Sequence, residues 1–288
     1  MIVKKMQALG EKRSVIREIF EYGNARRKEI GAENVFDFSL GNPSVPAPDA
    51  VGEALIKMLQ ESDSVSLHGY TSAPGDLGVR ASIAEYLNKT YNVGAKPSDL
   101  YMTVGAAASL SACLSAVAGA GEEVVVFAPF FPEYRVFTEQ TGASLRIVPA
   151  DETNFEINFD ALADALSEKT AAVIINSPNN PSGAVISEAS IIRLAEILSA
   201  AEEKYGHVIY LIADEPYREL VYDDIAVPYV TKYYDDTLVC YSFSKSLSLP
   251  GERIGYVLVS PTAKEHDAVY AAICGAGRAL GYVCAPMP

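Results

Sequence analysis

Positive charge is scarce in this chain: 23 lysines and arginines stand against 37 aspartates and glutamates, a formal net charge of -14 over 288 residues. Most of such a surface repels a phosphate backbone, and no basic arm offsets it, so no nucleic-acid partner is expected. Metal-ligating residues are equally thin. The three histidines, His68, His207 and His266, are scattered, with no carboxylate or cysteine at ligand spacing. Cys113, Cys240, Cys274 and Cys284 form no C-x-x-C pair, and each stands among small or apolar residues where buried thiols are common. These absences argue against a metal enzyme and against a disulfide framework. Long apolar runs are missing too. The opening MIVKKMQALGEKRS has no signal-like stretch and no later run approaches a membrane span, so a cytoplasmic chain without a membrane partner is expected.

What is present is a large apolar fraction, 49%, with 21% charged residues, enough for a sizeable core. Short apolar runs recur at 123–128 (EVVVFA), 145–148, 171–176 (AAVIIN), 208–213 (VIYLIA), 237–242 (TLVCYS) and 255–259. Between them lie stretches with helical spacing, such as 77–91 and 187–204, and a helix is expected to run from about Asp49 to Glu61. This alternation predicts an α/β fold, a mostly parallel sheet with helices on both faces. Ahead of it, 14–28 reads as a helix and 35–40 as a short strand, and the proline-rich GNPSVPAP separates this leader from the body. The expected domains are therefore residues 1–48 and residues 49–288. The last stretch, 268–288, is small and apolar and ends in CAPMP without a polar tail, so a segment that normally follows is expected to be missing.

In such sheets ligands bind beyond the carboxyl ends of the strands, which directs attention to the polar residues just after each apolar run. After TLVCYS comes Lys245, with Arg253 following in the same loop and Ser242 and Ser244 beside it. An amine that attacks an aldehyde must be held in place and partly desolvated near a positive field, and a guanidinium suits a phosphate, yet both residues also occur as ordinary solvated loop charges. After AAVIIN comes Ser177-Pro-Asn-Asn180-Pro-Ser-Gly183, equally at home as a plain turn. After VIYLIA come Asp214 and Tyr217; a carboxylate ending so apolar a strand needs a partner. Gly105, Ala106 and Ala107 open a small-residue helix whose N-H groups suit an anion, although small residues there also serve packing. Phe131 is a core aromatic unless a flat ligand lies at the same edge. One ligand accounts for all of these groups: pyridoxal 5'-phosphate.

In order and spacing these motifs resemble the class I/II aminotransferases of the fold-type I pyridoxal-phosphate family, aspartate aminotransferase-like, from about Ser14 to the last residue. The resemblance implies that Lys245 is the Schiff-base lysine and that Asp214 pairs with the ring nitrogen. It implies that Arg253, Ser242 and the backbone of Gly105, Ala106 and Ala107 bind the phosphate, and that Phe131 stacks on the ring. Asn180 and Tyr217 would meet the phenolic oxygen, Tyr70 in HGYTSAPGDLGVR would reach the phosphate of a neighbouring subunit in a homodimer, and Gly41, with Asn180, would contact substrate. The implied reaction moves an amino group between an amino acid and a 2-oxo acid.

The match has one gap. The family carries an arginine for the substrate carboxylate in the C-terminal part of its small domain, but here only Arg278 follows Arg253, and its setting, GAGRAL, does not fit. No substrate arginine is assigned, and the C-terminal part of the small domain is expected to be absent. Two other functions share the scaffold: a pyridoxal-phosphate carbon-sulfur β-lyase, and a non-catalytic binding module or inactive fragment. With only forty-odd residues ahead of the body, the DNA-binding region that precedes such modules in transcription regulators is not expected.

Overall fold

The computed structural model describes residues 2–11, 15–39, 41–151 and 153–282. The chain divides into two compact units, Met1–Pro46 and Ala47–Pro288. The first contains α1 (Lys4–Glu11), α2 (Val15–Ile30) and a 3-10 turn, Ala32–Asn34. The strand expected at 35–40 does not form over 35–39, and Leu40 lies outside the described residues. The reason is local chemistry. The Asp37 carboxylate accepts the Ser39 N-H at 2.9 Å and its hydroxyl at 2.6 Å, a turn that takes the backbone donor a ladder would use. Phe36 and Phe38 are left exposed. Ser14, where the second helix was expected to begin, also lies outside the described residues.

The second unit opens with α3 (Asp49–Glu61), α4 (Ser64–His68) and α5 (Leu77–Tyr91). It then alternates β1 (Leu100–Thr103), α6 (Ala106–Val117), β2 (Glu123–Phe127), α7 (Glu133–Gln140), β3 (Ser144–Val148) and α8 (Phe159–Ala165). There follow β4 (Thr170–Asn176), α9 (Glu188–Tyr205), β5 (Tyr210–Asp214), β6 (Thr237–Ser242), α10 (Phe243–Ser246), β7 (Gly255–Val259) and α11 (His266–Leu280). Side chains cap some of these helices: Asp76 accepts from Val79 N at 2.9 Å and Ser187 from Ser190 N at 3.2 Å. The last of the helices occupies the stretch read only as small and apolar, while Cys284 and the rest of CAPMP lie outside the described residues.

The seven strands form one sheet in the order β1-β7-β6-β5-β4-β2-β3, with β7 antiparallel to both neighbours and the rest parallel. Alternate residues feed two cores. Val125, Val173, Leu211, Val239 and Leu258 pack on one face with Leu194 and Leu198 of α9 and Leu87 of α5. Val124, Ala172, Ile212, Leu238 and Val257 pack on the other with Leu110 and Leu114 of α6 and Ile273 of α11. Burial on both faces is why these strands read as unbroken apolar runs. Cys113 and Cys240 are free thiols meeting in the second core, sulfur to sulfur at 3.7 Å. Among the described residues no helix is long and apolar enough to cross a membrane.

Candidate active site

Register puts the site on one edge of the sheet. Asn176 ends β4 beside Asp214, which ends β5 beside Cys240, while Ser242 ends β6 beside Gly255, the first residue of β7, which also pairs with Thr103 at the end of β1. The two loops after β4 and β5 are tied by Asn176, whose amide donates to the Asp214 carbonyl at 2.7 Å and accepts the Asn180 N-H at 2.6 Å. The Asn180 amide in turn donates to the Tyr217 hydroxyl at 3.3 Å. Just behind, Arg218 is buried against Glu215 and against the carbonyls of Val227 and Pro228, each at 3.1 Å, which fixes the turn bearing Asp214 and Tyr217.

Asp214 is buried, and only half of it is satisfied. Its Oδ2 accepts the Tyr134 hydroxyl at 2.6 Å, while Oδ1 has no hydrogen-bond partner among the described residues. Burial pushes its carboxyl up to about 7, against the Tyr134 hydrogen bond and helped by the Glu215 charge. Burial also raises the Tyr217 phenol, with the Asp214 charge adding and Asn180 opposing. Lys245 lies half-buried in α10, and desolvation lowers its ammonium below the usual lysine range. Phe131 is half-buried at the start of α7, its ring edge-on to Tyr134 with centroids 5.7 Å apart.

The anion cradle is built from close backbone approach. Gly105 precedes α6 at φ +90°, and a Cβ there would come within 2.9 Å of an Arg253 guanidinium nitrogen. A Cβ on Gly255 would stand 3.0 Å from the Gly105 Cα, so the two glycines let the end of β1 and the start of β7 touch. Arg253 itself takes φ +55° and donates to its own loop at Pro250 O, 3.0 Å. Its guanidinium therefore lies over the first turn of α6, where the N-H groups of Ala106 and Ala107 have no carbonyl one turn back. Ser242, buried at the end of β6, accepts from Ser244 N at 3.1 Å and donates to its hydroxyl at 2.7 Å.

These residues fit pyridoxal phosphate on two observations: a buried carboxylate oxygen left for a protonated ring nitrogen, and a cradle that a single Cβ would fill. Of the other expected members, Tyr70 is 99% exposed, and Gly41 lies in the first unit. Arg278 is exposed in the last turn of α11. Two site residues were missed in the sequence. Asn176 carried a signal, as the polar last residue of an apolar run; Tyr134 carried none, because its tie to Asp214 spans two separate strands' loops.

A mostly parallel α/β sheet with this edge is that of the fold-type I pyridoxal-phosphate proteins. The chain belongs to the aminotransferase class I and II family, whose model matches residues 33–279, and pyridoxal phosphate is that family's cofactor. A crystal structure of an amino transferase from Eubacterium rectale superposes with a TM-score of 0.97 at 56% identity, covering 99% of this chain and 72% of that one. A probable aspartate/prephenate aminotransferase from Aquifex aeolicus is 32% identical over 81% of this chain and 58% of its own length. An aspartate aminotransferase from Pyrococcus horikoshii is 29% identical over 92% of this chain and 64% of its own. The chain thus spans about three fifths of the length of the curated relatives it matches.

Proposed function

We propose that this chain is the cofactor-binding part of a pyridoxal-phosphate aminotransferase that moves an amino group between an amino acid, aspartate-like or another, and a 2-oxo acid. The unpartnered, buried Oδ1 of Asp214 carries the reading: a carboxylate left half-satisfied at the end of a fully buried strand costs stability until a cation meets it. When bound, pyridoxal phosphate supplies an electrophilic carbonyl and an electron-withdrawing ring.

The protein's part follows from its residues. Arg253, Ser242 and the N-H groups of Gly105, Ala106 and Ala107 hold the phosphate. Phe131 covers the ring face, and Asp214 holds a proton at the ring nitrogen, which keeps the ring electron-poor. Asn180 and Tyr217 donate to the phenolic oxygen. Lys245, its ammonium already weakened by burial, would hold the cofactor through its amine and, when that amine is free, would move a proton at the substrate α-carbon. Asn180 meets the substrate.

The molecule works as a homodimer in the cytoplasm, with residues 1–48 as the arm and small-domain portion and residues 49–288 as the large domain. Tyr70, fully exposed, reaches the phosphate of the second copy, and the apolar face of α3, where Ile56 and Leu59 stand exposed, supports that contact. The test is addition of pyridoxal phosphate to the purified chain, followed by borohydride and peptide mapping. A Schiff-base absorbance band and cofactor fixed on Lys245 are expected; neither band nor adduct would refute the reading. Incubation with aspartate plus 2-oxoglutarate, and separately with cystathionine, then decides the reaction, since pyruvate and ammonia from the second without transfer in the first would make it a lyase.

A further inference from the structure

We propose that Tyr134 is a positioning residue for this site: its hydroxyl holds Oδ2 of Asp214 so that Oδ1 alone, ionised, is presented to the ring nitrogen. The inference rests on the pyridoxal-phosphate reading and goes beyond it by giving the reacting edge of the ring a second determinant. Both groups are buried, Tyr134 at 2% and Asp214 at 5% exposure, so no water competes for the bond at 2.6 Å. A carboxylate with two free oxygens can rotate; one pinned by a short O-H donor cannot.

One segment, the start of α7 and the residues just before it, carries both aromatics. Phe131 precedes α7 and Tyr134 lies in its first turn, with the two rings edge to face and Phe130 stacked on Tyr134 from the other side, centroids 6.4 Å apart. α7 thereby sets what lies over the ring and what meets its edge as one rigid piece. The groups facing Asp214 are Tyr134 from α7, Glu215 and Tyr217 from the loop after β5, and Cys240 from β6. Among them only the Tyr134 hydroxyl bonds the carboxylate, so its donor favours the charged form against burial.

The experiment is a double-mutant cycle on cofactor affinity at pH 8, using Tyr134→Phe, Asp214→Asn and the pair. Tyr134→Phe is expected to weaken pyridoxal-phosphate binding about tenfold, the size of a hydrogen bond to a charged group, and to change it less than about twofold in the Asp214→Asn background. An equal loss in both backgrounds means that Tyr134 only packs, and overturns the proposal. Tyr134→4-aminophenylalanine, which keeps a donor on the same ring position, is the second variant. It should bind within about threefold of the wild type, and a loss of about tenfold or more would overturn the proposal. Should Tyr134→Phe not fold, this variant decides it by that threshold. Wild-type binding with an unchanged Tyr134→Phe overturns this inference alone, whereas a wild-type chain that takes up no cofactor removes the functional reading and this one with it.

Discussion

The two ends of β5 each hold a buried carboxylate, and they are treated in opposite ways. At the amino end, Glu202 of α9 has both oxygens engaged: Oε1 accepts from Ile209 N at 2.9 Å and from the Tyr234 hydroxyl at 2.8 Å, and Oε2 meets the Lys264 ammonium. Lys264 also reaches Asp236 at 3.2 Å, so one half-exposed lysine serves two buried acids. At the carboxyl end, Asp214 has one oxygen held and one without a partner, and burial raises its carboxyl to about 7. Satisfied burial is structure. Burial held one bond short, at the edge where β5 and β6 end, is what the proposed cofactor role would use.

Changes at the carboxyl end should show in chemistry more than in folding, and the largest is Lys245→Ala. Borohydride should then fix no cofactor to the chain, and amino transfer should fall by about a thousandfold or more, with the fold intact by circular dichroism. Asp214→Asn comes next, with transfer down about a hundredfold. Its effect on the cofactor-free protein runs the other way. A carboxyl raised in the folded state stabilises below its unfolded value of 3.8 and loses that contribution as pH rises through about 7. Denaturant melts of the wild type should therefore weaken from pH 4 to pH 8 by up to about 4 kcal/mol, and Asp214→Asn should flatten that slope. A flat wild-type profile would mean that the cost of burial is met elsewhere.

At the amino end the expected order reverses. Glu202→Ala strands Ile209 N, Tyr234 and Lys264 and should cost about 3 kcal/mol in urea melts, while the absorbance of bound cofactor stays as in the wild type. Lys264→Met is the smallest change, because water already reaches that ammonium; a loss of about 1 kcal/mol is expected. A shifted cofactor spectrum in either variant would erase the contrast between the two ends.

How much of this could be seen in the sequence depended on whether the cause was local. β2, β4, β5 and β6 were legible because both faces of each are buried, which leaves unbroken apolar runs. The placement of Lys245, Asp214 and Asn180 at or just past the carboxyl ends of strands was legible for the same reason. The run at 35–40 misled because over 35–39 Asp37 closes a turn that takes the Ser39 N-H instead. The antiparallel direction of β7 was invisible, since side-chain alternation is identical in both directions. Tyr134 was hidden for a different reason: its partner is supplied by another strand, and a tyrosine at a helix start reads as core.

That reversed strand has a consequence for the loop before it. Because β7 runs against β6, Gly255 begins where Ser242 ends, and the chain leaves the edge at Lys245 and returns to it at Arg253 with no crossover helix between them. A parallel β7 would have needed a connection of about a dozen residues or more with its far end brought back through the opposite edge. As it is, the amine and the guanidinium sit at the two roots of a single short loop. A ligand gripped by both acts on that loop as a staple does on a folded sheet, closing it without a covalent bridge of its own chain. The loop's freedom and the ligand's residence are then one quantity, so whatever opens the staple at one root loosens the other.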